Sequence, residues 1–126
     1  MTAVRDDERI VFLAMFWGGG GPFGISAILH ACDWVNRAVP RREDLEAALN
    51  ALLARGLIEA REGEFVVRDG PARDFDALRK RIRKGKFEAV EQFFRRLPEP
   101  GPVPRTVTIS ESEYERHLAD YVAFLG

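Results

Sequence analysis

The chain has 126 residues, 46% of them hydrophobic and 31% charged, with 19 basic against 20 acidic groups and a net charge of −1. That length accommodates one core with an appendage, and that apolar fraction is ordinary for a folded globular chain. A single cysteine excludes an internal disulfide framework and any multi-thiolate zinc site within one chain, and the near-neutral balance excludes a global basic field that would draw the whole molecule to nucleic acid.

The first predicted element is a helix. Asp6-Asp7-Glu8 places three acids in a first turn, where they complement the helix dipole, ahead of the continuous apolar run from Ile10 to Trp17. So continuous a run predicts burial on most sides, and it is too short to span a bilayer. Acids precede it, so it lacks the layout of a signal peptide, and the chain is expected to be cytoplasmic. The bias toward Ala, Arg and Gly is a compositional hint of a bacterial source.

Gly18 to Gly21 break this helix. Gly19-Gly20-Gly21-Pro22-Phe23-Gly24 matches the G-x-G-x-x-G spelling of a dinucleotide-binding turn. However, a helix rather than a strand precedes it, no further β-α unit follows, and Pro22 removes an N–H that would face phosphate. The segment is read as a flexible turn, and no cofactor is expected.

Ser26 to Arg37 reads as a second helix, with Ile28, Leu29, Cys32 and Val35 inward. His30 and Asp33 share a face from which Cys32 points away, and the other histidine is the distant His117. The chain therefore offers no convergent catalytic or metal-binding set and is read as non-enzymatic. Trp17 and Trp34 are read as core.

Pro40 holds Val39 extended and ends the second helix. Leu45, Ala48, Leu49 and Leu52 then recur at spacings of three and four and predict a third helix. Gly56 follows Arg55 where a left-handed cap is expected. Leu57 and Ile58 begin an extended run, Glu62-Gly63-Glu64 makes a tight turn, Phe65-Val66-Val67 is rich in strand formers, and Gly70-Pro71 ends the return strand.

Leu-Leu-Ala-Arg-Gly-Leu-Ile followed by a charged hairpin resembles the junction of recognition helix and wing in bacterial winged helix-turn-helix regulators. The resemblance covers about residues 5–70. It implies a mainly α fold with a small β-hairpin, organised as a winged-helix domain over 1–70 and a C-terminal helical extension over 71–126. It also implies that the outward positions of the third helix, Arg42, Glu43, Glu46, Ala47, Asn50 and Ala51, would meet a major groove. Arg41 and Arg42 would then reach phosphates and Asn50 an adenine edge. Glu43, Asp44 and Glu46, with Glu62 and Glu64 at the wing tip, would repel a polyanion at the same place.

In the extension, Phe75, Leu78 and Ile82 mark one helical stripe, and Phe87, Val90, Phe94 and Leu97 another. On one straight helix the second stripe would be rotated by roughly a quarter turn, which predicts a break near Gly85. Residues 69–97 hold nine basic and five acidic groups, while each remaining stretch is net negative. Arg79, Lys80, Arg83 and Lys86 are expected on one outward face, as phosphate contacts or as solvated surface. Pro98, Pro100, Pro102 and Pro104 make a stiff connector over 98–104. Thr106 to Ile109 reads as a short strand or extended arm. Ser110 and Glu113 form a capping-box signature before a last helix whose face is Tyr114, Leu118, Tyr121, Val122 and Leu125. That face is the candidate self-association surface, with burial against the chain's own core as the alternative.

The expected function is that of a non-enzymatic module acting mainly through protein contacts or self-association, with a protein partner or a second copy and no membrane. The alternative is a DNA-binding transcriptional regulator using the 41–55 helix and the basic 79–86 segment.

Overall fold

Val11 to Met15, five consecutive residues of α1 (Asp6–Trp17), are each at most 1% exposed in the computed structural model, which describes residues 6–125. An amphipathic helix has a wet face; this one is covered on every side along that run. α2 (Ile25–Asn36) and α3 (Arg42–Ala54) pack on it, as does α5 (Lys86–Arg95). Phe12 stacks on Phe93 of α5 at 5.3 Å and meets Phe75 of α4 (Asp69–Arg81) edge-on at 5.6 Å. Burying each such ring stabilises the fold by about 1.5–3 kcal/mol.

The fold is mainly α with a small β-hairpin, as the sequence predicts. β1 (Ile58–Arg61) and β2 (Glu64–Val67) pair antiparallel, with Ile58 opposite Val67. Glu62 and Gly63 link them with φ of 51° and 80°, the two left-handed residues that a two-residue hairpin turn of this hand requires.

The glycine run between α1 and α2 is not a free turn. Phe23 exchanges both of its backbone hydrogen bonds with Phe65 at 2.8 Å, and Val67 N–H donates to the Gly20 carbonyl at 2.8 Å. The loop thus lies along β2 as a third, very short partner. A Cβ on Gly21 would stand 2.7 Å from the Phe65 carbonyl oxygen, so close approach explains glycine at this position.

The predicted break near Gly85 is present. α4 ends at Arg81, Ile82 is extended, Gly85 has φ 104°, and α5 starts at Lys86. Phe75, Leu78, Val90 and Phe94 are buried as expected. Phe87 is instead 47% exposed, and Phe93 takes the inward place. Phe87 sits in the first turn of α5, beside an open crevice shared with Ile10 and Asn36.

Ser110 Oγ accepts the Glu113 N–H at 3.1 Å and caps α6 (Glu111–Leu125). The chain then crosses α2. Tyr114 Oη donates to the Pro40 carbonyl at 2.6 Å, Tyr121 Oη donates to Asp33, and Ser26 Oγ bonds His117 Nδ1 at 3.0 Å. Tyr114, Leu118 and Tyr121, expected as a face for a second copy, are therefore engaged within the chain. Val122 remains 56% exposed, and the side chain of Leu125 lies outside the described residues. One buried cluster joins Leu45 and Leu49 of α3 with Phe75, Phe94 and Ile109 from beyond residue 70. Among the described residues, no helix is long and apolar enough to cross a membrane.

Candidate functional site

The outward side of α3 is the surface on which the expected DNA contacts converge. Leu45, Ala48, Leu49 and Leu52 turn into the core and leave Arg42, Glu46 and Asn50, at i, i+4 and i+8, as a second stripe. Members of that stripe rise about 6 Å from one to the next. Two residues of extended chain span about 6.6 Å. The two repeats match closely enough for one helix stripe to meet alternate residues of an extended segment.

Residues 105–109 are that segment. Asn50 Nδ2 donates to the Val107 carbonyl at 2.9 Å, and the Val107 N–H donates to Asn50 Oδ1 at 2.6 Å. The Ile109 N–H donates to Glu46 Oε2 at 2.7 Å, and Arg42 Nη1 donates to the Ile109 carbonyl at 3.0 Å. The side chains of α3 thus stand in for a neighbouring strand, serving the one edge of the arm that carries the polar groups of both Val107 and Ile109. Ile109 is 1% exposed and ties the arm to the core. Small Ala47 and Ala51 leave room for residues 103–105 alongside.

Electrostatics follow the same pattern. Glu46 Oε1 lies 3.2 Å from Arg105, and its Oε2 lies 3.8 Å from Arg42. The Ile109 N–H bond holds the Glu46 carboxyl below its ordinary range; burial opposes this, and the two guanidiniums reinforce it. Glu46 therefore does not face solvent as a repulsive acid. It is an acceptor enclosed by the arm and two arginines. Arg41 folds back onto Asp44 at 3.1 Å, and Glu43 stays exposed between Arg41 and Arg42. Of the three DNA-contact candidates at α3, Arg42 and Asn50 bond the arm, while Arg41, just before the helix, pairs with Asp44 and stays 77% exposed.

The basic segment does not form one face. α4 stops at Arg81, so Arg83 lies in the connection to α5, and Lys86 opens α5 with its ammonium 5.5 Å from the Phe87 ring centroid. Arg79 lies over Trp17 at 5.3 Å and bridges Asp76 at 2.7 Å, and Lys80 shares Asp76 at 3.1 Å. The helix that would have aligned the four cations ends too early.

The residues close together on α2 serve separate contacts. Cys32 is fully buried, and burial, with the Asp7 charge adding to it, pushes its thiol up to about 12. His30 packs on Tyr121 and Phe124, and Asp33 accepts the Tyr121 hydroxyl. Trp17 and Trp34, expected in the core, are 43% and 77% exposed. Ile28, Cys32 and Val35 take the inward face of α2, which leaves Trp34 on the opposite side.

Arg105, Val107 and Ile109 carry the site and were not singled out by sequence reasoning. Their signal is the alternation of Val107 and Ile109 with Thr106 and Thr108, a strand pattern without a partner strand nearby. No protein-family model, no curated protein and no solved structure matches this chain.

Proposed function

We propose that the chain is a non-enzymatic winged helix-turn-helix module that acts mainly through protein–protein contacts or self-association in a cytoplasmic, regulatory role. The order of three helices, a hairpin and a short strand-like segment before α2 supports the winged-helix assignment. The observation that carries the functional reading is the bidentate pairing of Asn50 with Val107, beside Glu46 on Ile109. Side chains that would read base edges are bonded to the chain's own backbone. α6 also crosses α2, so both helices of the helix-turn-helix unit carry a cover.

A second reading, a duplex-binding regulator, is favoured by Arg81, Arg83 and Lys84, which are exposed and make no ion pair among the described residues. Reading bases with α3 would further require the arm to leave. The experiment is a titration of the full chain with random duplex DNA across a salt series. The proposal expects no saturable binding at moderate salt. A steep fall of affinity with salt, showing several neutralised phosphates, together with weaker binding of Arg41→Ala, would establish the regulator instead.

A further inference from the structure

Trp17 and Trp34 line one apolar cleft of about 280 Å³ between the end of α1 and the outer face of α2. Phe23 and the small residues Ala27 and Ala31 line it with the two tryptophans. Ala27 and His30 also border a second depression of about 240 Å³ that continues to Tyr121 and Phe124, the latter 73% exposed, and that carries one exposed acid, Asp120, on its α6 side. Ala27, His30 and Trp34 recur at i, i+3 and i+7, so the first depression forms a furrow along α2 roughly 10 Å long, which the second adjoins at Ala27 and His30. That length suits a short amphipathic segment presenting two or three large apolar anchors. Contiguous exposed aromatic surface of this kind marks a contact site.

The charge beside the furrow sets the sign of the partner. From Asp76 to Lys86 the chain carries six cations and one acid, and that acid is shared by Arg79 and Lys80. Arg79 itself lies over Trp17, which puts the start of this cationic run beside the cleft. Arg81, Arg83 and Lys84 are exposed, and among the described residues they form no ion pair. Arg37 caps α2 three residues beyond Trp34 and is exposed and unpaired in the same sense. Arg79 thus stands over the Trp17 ring and Arg37 follows Trp34 by three residues, and an interface that covers the cleft gains specificity from opposite charge.

We propose that the furrow between Trp17 and Trp34 docks an acidic amphipathic peptide segment of a partner protein. An aromatic or leucine side chain enters the cleft, and flanking carboxylates meet Arg37, Arg81, Arg83 and Lys84. The inference rests on the protein-contact reading and adds to it the place and chemistry of the partner.

The test uses the full chain and a synthetic amphipathic peptide of about twelve residues, with Phe and Leu at helical spacing and Glu elsewhere. A counterpart carries Lys in place of Glu. Trp17 and Trp34 are the chain's two tryptophans, so their emission reports directly on the cleft. The acidic peptide is expected to give a saturable blue shift that weakens with salt, and the lysine peptide none. By calorimetry, Trp34→Ala is expected to lower affinity about tenfold. The triple variant Arg81→Glu, Arg83→Glu, Lys84→Glu is expected to weaken binding at low salt. Trp34 is exposed, so its removal leaves the core intact.

The proposal is overturned by equal binding of both peptides, or by no response to the acidic peptide at about millimolar concentration. A response confined to phosphatidylserine vesicles or to a thymidine oligonucleotide overturns it as well. So does a free chain already dimeric with both tryptophans buried. A failed peptide titration beside absent duplex binding discards the cleft alone; duplex binding through α3 discards the underlying reading.

Discussion

Asn50 and Val107, fifty-seven residues apart, are joined by two hydrogen bonds, the side-chain amide of one answering both backbone groups of the other. The pair is the centre of a contact in which a helix side, rather than a strand, completes the hydrogen bonding of an extended arm. The side of α3 that sequence resemblance assigns to DNA is thereby covered along Arg42, Glu46 and Asn50.

Replacing Asn50 with Ala leaves the N–H and carbonyl of Val107 without their partners. Leaving such groups unsatisfied costs about 1–3 kcal/mol. Urea unfolding of Asn50→Ala is expected to show a loss of that order. A variant as stable as the parent would mean that the arm is not held by this pair.

Glu46 gives the arm a pH dependence. Its carboxyl is held below the ordinary glutamate value of 4.5, first by the Ile109 N–H and then by Arg105 and Arg42. A folded-state value below the unfolded one contributes stability above the unfolded value, and that contribution is lost as pH falls through the folded value. The Ile109 amide resonance should therefore titrate with a midpoint below 4.5. It should not titrate in Glu46→Gln. A midpoint at or above the ordinary value would show that the carboxylate is not so held.

Both tyrosines of the chain lie in α6 and both are raised above the ordinary value of 10.0. For Tyr121 the main cause is its hydrogen bond to Asp33, and for Tyr114 it is burial. Raised groups of this kind contribute stability below the unfolded value and lose it as pH rises through the folded value. Phenolate absorbance of the native chain should thus appear above the free-tyrosine range and coincide with loosening of α6. Ionisation of Tyr121 at the ordinary value would place α6 off α2, and ionisation of Tyr114 there would place its ring off Pro40.

Glu8 and Arg55 form a buried ion pair, with side chains 4% and 7% exposed. Arg55 also donates to the Pro98 carbonyl at 3.0 Å and lies 5.5 Å from the Phe94 ring centroid. Glu8→Ala leaves a guanidinium enclosed without its counter-charge, which costs about 3–5 kcal/mol. Denaturant unfolding checks this. A loss under about 1 kcal/mol, the range of a surface pair, would contradict the burial.

Local periodicity made the helices and the hairpin legible in the sequence. The leucine spacing located α3, the mismatch of two stripes located the break at Gly85, and Ser110 announced the last helix. What stayed hidden depends on contacts between distant residues. Glu46 reads as a repulsive acid until Arg105 and the Ile109 N–H are placed against it. The glycine run reads as slack until β2 lies along it. Trp34 reads as core because tryptophan usually is, and Phe87 because its spacing fits; the faces that α2 and α5 turn inward decide otherwise. Periodicity places Arg42 and Asn50 on the outward stripe of α3, but no local pattern shows that the chain returns to cover it.

The most direct measurement is residue-resolved amide exchange along the arm. The account predicts an alternation, with Val107 and Ile109 slow because Asn50 and Glu46 hold their N–H groups, and Thr106 and Thr108 fast because theirs have no such partner among the described residues. Uniformly fast exchange over all four would show that the outward side of α3 stands open in solution and would contradict the account.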